Sequence, residues 1–387
     1  MTANAAGRWR RRYVFVVLSV VHAAVLLGVV EFGARLLFAA RGQLAPPSVA
    51  PEVLAAYPGR EEGEVRRLLE ETWRRSWRYE PWVGFREAPR RGSFVNISER
   101  GFRFGATDGD GERDLSAGGA DAVDVYFFGG STTFGYGVAD GETIPSRLEA
   151  RVEGVRVFNF GRGYYYSAQE LALFADLLRG GAVPEVAIFL DGLNEGQSAP
   201  FYSGEMRQLF AAFNDAPSRL AGLGLASTWR RSALHRLAEG VARRLGLGPS
   251  PSPAATSDGA SPADVERSYR AARRQIEALA AEYGVRVYFF IQPVPGYRNA
   301  FGDHPLMRYG HSPATAARME LLEATADGRT RFSLAAALDG YGGTAFVDSF
   351  HYSPPVNDLL AGAIADRVLA AERARGDGDG DRAAGER

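Results

Sequence analysis

The 387-residue chain has no cysteine and no lysine. The first absence excludes disulfide staples, thiolate zinc sites and cysteine nucleophiles. The second excludes a phosphate loop, which reaches its nucleotide through a lysine. All 45 basic residues are therefore arginine, against 46 acidic ones, for a formal net charge of −1. An arginine-only basic set is what the codon bias of a GC-rich genome produces. Beyond the N-terminus these arginines are interleaved with acids on helix-like stretches, so the basic stripe that a nucleic-acid partner needs is missing.

Long apolar runs are scarce, and Tyr13 to Val30 stands out as an uncharged one. As a helix rising 1.5 Å per residue it spans about 27 Å, close to the hydrocarbon thickness of a bilayer. A cleaved signal peptide is the rival reading, but its apolar segment is normally roughly 7–15 residues and ends at an Ala-x-Ala site. No such site follows here, and a single-pass anchor is expected. Arg8, Arg10, Arg11 and Arg12 precede the run, and Arg35 and Arg41 follow it, which orients the N-terminus toward the cytoplasm. The expectation is a bacterial cytoplasmic-membrane protein anchored through residues 13–30, with everything after Glu31 outside.

Residues 1–40 are thus read as cytoplasmic tip and anchor. Residues 41–122 are read as a tether, rich in Ala, Pro and Gly to about residue 60, followed by an extension packing on the core. Within it Glu61 to Tyr79 suggests a helix. From residue 123 to 372, short apolar runs at Val123–Phe128, Val155–Phe160, Val186–Leu190 and Val285–Ile291 alternate with amphipathic stretches near 142–153, 167–180 and 263–283. That alternation predicts an α/β/α sandwich around a mainly parallel five-stranded sheet. The fifth strand is assigned to Ala345–Val347, before a final helix at 356–372. An insertion at 201–262, ending in a Pro/Ser/Ala/Gly stretch, is a candidate surface for an envelope protein partner. The Asp-Gly repeats of 373–387 read as a disordered tail; they lack the closing glutamate of a calcium loop.

Ligand sites of open α/β sheets lie at the carboxyl ends of the strands. There the sequence places Gly129-Gly130-Ser131-Thr132-Thr133, then Asn159-Phe160-Gly161-Arg162-Gly163-Tyr164, then Asp191-Gly192-Leu193-Asn194-Glu195, and finally Asp348-Ser349-Phe350-His351. Taken singly, each has an ordinary role: Ser131 as a helix cap, Asn194 as a turn residue, Asp348 and His351 as surface groups. Their occurrence in order at four strand ends points instead to a nucleophile, amide donors and a carboxylate-backed imidazole meeting at one edge.

These blocks resemble the SGNH (GDSL-type) hydrolase superfamily over roughly Val123 to Leu369, the insertion excluded. Gly129-Gly130-Ser131 stands for its Gly-Asp-Ser turn, with Gly130 in place of aspartate. Gly192-Leu193-Asn194-Glu195 stands for Gly-x-Asn-Asp, and Asp348-Ser349-Phe350-His351 for Asp-x-x-His. In the Asn-x-Gly-x-x-Gly block, Tyr164 occupies the place of the last glycine. The resemblance implies Ser131 as nucleophile, His351 as base and Asp348 as its partner. It also implies an oxyanion hole from the amides of Ser131 and of Gly163 or Tyr164 with the Asn194 side chain. No cofactor or metal is implied. The implied activity is an extracytoplasmic esterase or O-acyltransferase, expected to act on an acylated cell-envelope or secreted carbohydrate. A lipase or thioesterase of the same fold, and a non-catalytic polysaccharide-binding or assembly component, are the alternatives. A dinucleotide site lacks its Gly-x-Gly-x-x-Gly.

Overall fold

A computed structural model describes residues 3–44, 48–74, 76–107, 113–115, 122–195, 261–298 and 313–385. The expected insertion lies, up to residue 260, outside the described residues. The chain divides into two units, one holding residues 1–48 and the other Val49–Ser203 with Ser257–Arg387. The first unit contributes helix α1, Ala3–Leu44, in which Arg12–Leu36 is long and apolar enough to cross a membrane. Those 25 residues would span about 37 Å as a helix.

The second unit is built on five parallel strands: β3 (Val123–Gly129), β4 (Val155–Asn159), β5 (Val186–Asp191), β6 (Arg286–Ile291) and β7 (Arg331–Ser333), in the order β4-β3-β5-β6-β7. Counted within the sheet this is the 2-1-3-4-5 order of the flavodoxin-like doubly wound fold. Strand side chains alternate between the faces, and the core divides accordingly. Val125, Phe127, Ile188, Leu190, Tyr288 and Phe290 cluster with Ile144 and Leu148 of α5 (Ile144–Glu149) and with Val356, Leu360 and Ile364 of α9 (Pro354–Gly385). Tyr126, Phe128, Phe158, Ala187, Phe189 and Phe289 cluster with Leu173, Phe174 and Leu178 of α6 (Ser167–Arg179) and with Ile276 and Ala280 of α7 (Pro262–Glu282). On that face Phe128, Phe189 and Phe289 stack across three neighbouring strands, with centroids 4.8 and 5.2 Å apart. Each such buried ring is worth about 1.5–3 kcal/mol of transfer free energy. Helix α8 (Pro313–Glu323) adds Met319 and Leu322 against Tyr269 of α7.

The fifth strand is not the expected one. Ala345–Val347 forms no ladder: Phe346 makes an isolated bridge to Tyr352, and the place at the sheet edge is taken by β7. An edge strand of three residues, Arg-Phe-Ser, needs no apolar run, so hydrophobic patterning passes over it. The helix expected over Glu61–Tyr79 stops earlier, as α3 (Glu62–Trp73), and the chain then turns into the hairpin β1 (Trp77–Glu80) and β2 (Gly84–Glu87). Tyr79 and Phe85 face each other across it and pack edge to face. Helix α9 runs on to Gly385, through the Asp-Gly repeats read as a tail.

The extension is part of this core. Tyr57, Val65 and Leu68, from the short helix α2 (Pro51–Leu54) onward through α3, are buried with Val95 and Ile97 against Phe134 and Tyr136, just after Ser131, and against Val347, just before Asp348.

Candidate active site

Strand β3 ends at Gly129 and is followed by Gly130, and at both the lack of a side chain is required. At Gly129 φ is +155°, and an added Cβ would lie 2.1 Å from Thr133 Oγ1; at Gly130 it would lie 2.4 Å from Asn194 Nδ2. The chain turns there into α4 (Ser131–Phe134), so Ser131 heads a single helical turn and is 7% exposed. At position 130, where the resembled motif has aspartate, a side chain in this backbone would run into Asn194.

Asp348 and His351 belong to a tight turn between Phe346 and Tyr352. The N–H groups of Phe350 and His351 donate to Asp348 Oδ1 at 2.9 and 2.8 Å, and His351 Nδ1 lies 2.6 Å from Asp348 Oδ2. His351 Nε2 lies 2.8 Å from Ser131 Oγ. An Nδ1–H donated to Asp348 leaves Nε2 as the acceptor for the Ser131 hydroxyl. Burial would raise the Asp348 carboxyl, but the His351 ring and the two N–H groups outweigh it and hold the carboxyl below its ordinary value. With His351 3% exposed, this chain of contacts is largely withdrawn from water.

Asn194 follows β5 and is held from behind. Its Nδ2 donates to Tyr165 O at 2.8 Å while lying over Gly130, and a primary amide has a second hydrogen to give. Its neighbour Glu195 turns inward and accepts from Ser167 N (3.0 Å) and Ser167 Oγ (2.8 Å), anchoring the start of α6. Around it, burial drives the Glu170, Asp191 and Glu195 carboxyls above their ordinary values, and their mutual repulsion adds to the rise at Glu170 and Asp191.

The segment after β4 is sewn to the turn that carries Ser131. Asn159 Nδ2 donates to Thr133 O (3.0 Å), its Oδ1 accepts from Gly161 N (2.9 Å), and Arg162 N donates to Gly129 O (3.0 Å). A four-residue turn follows, closed by Tyr165 N to Arg162 O at 3.3 Å, and its third residue, Tyr164, has φ +66°. That is where a type II turn favours glycine, and it accounts for the glycine of the resembled block. Of the two donors left open by the sequence, Gly163 gives its N–H to Glu87 Oε1 at 3.0 Å.

Three contributors were not found from the sequence. Arg103 is fully buried and donates to the carbonyls of Phe134 (2.8 Å), Gly135 (2.5 Å) and Val138 (2.6 Å) and to Asp140 (2.9 Å), fixing the loop that follows Ser131. Trp73 sets its ring 5.9 Å from His351 and is 44% exposed. Glu87, 2% exposed, reaches in from β2. All three lie outside the strand-end blocks. Among the described residues, no group of three or more His, Asp or Glu side chains is arranged to hold a metal ion.

No protein-family model matches the sequence, and no curated protein matches it closely enough to count as a relative. Among solved structures the chain is similar to a lipolytic protein of the G-D-S-L family from Veillonella parvula (14% identity, TM-score 0.37, covering 64% of this chain and 97% of that one). It is also similar to the aryl esterase of M. smegmatis (13%, 0.36, 65% and 100%) and to the acetyl xylan esterase AlAXEase (13%, 0.35, 64% and 99%). Likenesses this distant leave the reading of the site to its own geometry.

Proposed function

We propose that the chain is a serine esterase or O-acyltransferase working through an acyl-enzyme on Ser131. The observation that supports this most is the continuous relay from Ser131 Oγ to His351 Nε2 at 2.8 Å and from His351 Nδ1 to Asp348 at 2.6 Å. Ser131 Oγ attacks the ester carbonyl carbon while its proton passes to Nε2, and Asp348 stabilises the imidazolium. The oxyanion is held by the N–H groups of Ser131 and Tyr164 and by the second amide hydrogen of Asn194, each donor being worth about 10²–10³ in rate. Collapse expels the alcohol, which takes the proton from Nε2. Water or another hydroxyl then attacks the acyl-enzyme with its proton drawn to the same nitrogen.

The favoured substrates are O-acyl groups on a cell-envelope or secreted carbohydrate. The reason is location: a domain tethered by α1, with arginines concentrated before the span, faces outward at the membrane surface. Protease added to intact spheroplasts should then digest the chain beyond Glu31; protection until lysis would reverse the topology. Ser131→Ala should abolish hydrolysis of a short acyl ester without lowering the melting temperature, and full retained activity would remove the assignment. Release of acetate from an acylated polysaccharide supports the carbohydrate reading, whereas release of long fatty acids alone would transfer it to lipids.

A further inference from the structure

The hairpin β1–β2 is far from the catalytic blocks in sequence, yet two of its carboxylates grip the turn that carries Tyr164. Glu87 accepts from Gly163 N at 3.0 Å and from the Tyr136 hydroxyl. Glu80 accepts from Arg162 Nη1 at 2.8 Å through one oxygen and from Arg86 Nε through the other, while Arg162 also donates to Tyr165 OH at 3.1 Å. Tyr165 OH in turn donates to Val83 O at 3.1 Å, so hairpin and turn are joined from both sides. There is no slack between them: a Cβ at Gly163 would lie 2.3 Å from the Tyr136 hydroxyl oxygen, 2.9 Å from Glu87 Oε1 and 3.0 Å from the Trp77 ring.

The grip coincides with a conformational conflict. Tyr164 has φ +66°, a left-handed conformation that a residue with a Cβ adopts only when its surroundings impose it. A glycine would hold this turn without help. Here the residue before it, Gly163, gives its N–H to a buried carboxylate, which fixes the Arg162–Gly163 peptide group, the one immediately before the peptide that carries the Tyr164 N–H.

We propose that Glu87 is a positioning residue, holding the Gly163–Tyr164 turn so that a tyrosine presents its backbone N–H where a glycine otherwise would. The extension is then a working part of the oxyanion hole. The proposal rests on the esterase reading above and narrows it to how one donor is placed. Its role is geometric: what matters is an acceptor at the reach of glutamate, not the charge. The requirement predicts an order of variants that a charge effect would invert. Glu87→Gln keeps the oxygen and its reach, and Glu87→Asp keeps the charge but withdraws it by one methylene.

The test is steady-state hydrolysis of p-nitrophenyl acetate by the full chain in detergent, with thermal melting of each variant alongside. Glu87→Gln should keep kcat within about threefold, and Glu87→Asp should lose about 10- to 100-fold in kcat with KM within twofold, as misplacing one donor predicts. In a Tyr164→Gly background the Asp variant should cost at least fivefold less, because glycine takes the turn unaided. Tyr136→Phe, which removes the other partner of Glu87, should keep kcat within about threefold. The proposal is overturned if Glu87→Asp keeps wild-type kcat, if Glu87→Gln is the worse variant, if Tyr136→Phe reproduces the loss, or if the loss is undiminished with glycine at 164. Labelling of wild-type Ser131 by a fluorophosphonate separates the two levels: an unlabelled wild type removes the esterase reading, whereas a labelled wild type with the wrong variant order removes only the role of Glu87.

Discussion

Replacing Gly130 by alanine puts a Cβ 2.4 Å from Asn194 Nδ2 and 3.2 Å from Tyr165 O. Ordinary carbon–nitrogen contact begins near 3.4 Å, so the Asn194 amide has to retreat by about 1 Å, a displacement that costs about 10² in rate when it moves a catalytic group. Retreat also loosens its 2.8 Å bond to Tyr165 O, on which its orientation depends. Gly130→Ala should therefore lower kcat by about 10²–10³, as loss of one oxyanion donor does, or about 2.7–4 kcal/mol. KM should change little, because the ground-state carbonyl relies less on that donor. Asn194→Ala alone should cost a similar factor. The two together should cost hardly more than either, since with the Asn194 amide gone the new methyl has only the carbonyl of Tyr165 to accommodate. The assay is kcat for p-nitrophenyl acetate across the four proteins of a double-mutant cycle, with circular dichroism to establish folding. Multiplicative losses would refute the reasoning, as would wild-type kcat in Gly130→Ala.

Asp348→Asn keeps the shape of the turn but removes the charge that orients His351, and kcat should fall by about 10⁴, measured as initial rates; a loss under tenfold would show that Asp348 does not support the base. Burial and mutual repulsion raise Glu170 and Asp191 above their ordinary values of 4.5 and 3.8, so the folded chain holds protons that the unfolded chain has released. The stability they contribute is full below those ordinary values and is lost as pH rises through the raised ones. Glu170→Gln should therefore flatten the decline of Tm with rising pH, raising Tm near pH 8 by about 2–4 °C for each kcal/mol relieved; an unchanged pH profile in scanning calorimetry would contradict this. Arg103→Met strips the half-buried Asp140 of its charged partner and removes the guanidinium donors from three carbonyls. Urea unfolding should show a loss of about 3–5 kcal/mol, and a loss below about 1 kcal/mol would mean that water replaces the guanidinium.

The strand-and-helix alternation was legible because four of the five strands are apolar runs bounded by glycine or proline, and such runs announce a sheet covered on both faces. The edge strand Arg331–Ser333 was not legible, since three residues of mixed polarity carry no period. Ser131 and Asn194 could be singled out because the fold places them just after β3 and β5, where position along the chain predicts position in space; Asp348 and His351 follow no strand of the sheet and were singled out by their Asp-x-x-His spacing. Glu87, Trp73 and Arg103 follow no such rule. They reach the site from a hairpin, a helix end and a loop of the extension, and only tertiary packing brings them there. The Tyr164 substitution was visible as a departure, but its consequence was not, because the positive φ and the carboxylate that accompanies it are properties of the folded turn.

The central claim is that Ser131 is an activated nucleophile. Incubating folded full-length protein with a fluorophosphonate and mapping the adduct by tandem mass spectrometry tests this most directly. The account predicts one phosphonylated residue, Ser131, with labelling strongly slowed in His351→Ala. Folded protein left unlabelled at Ser131, or labelled equally well without the imidazole, would contradict it.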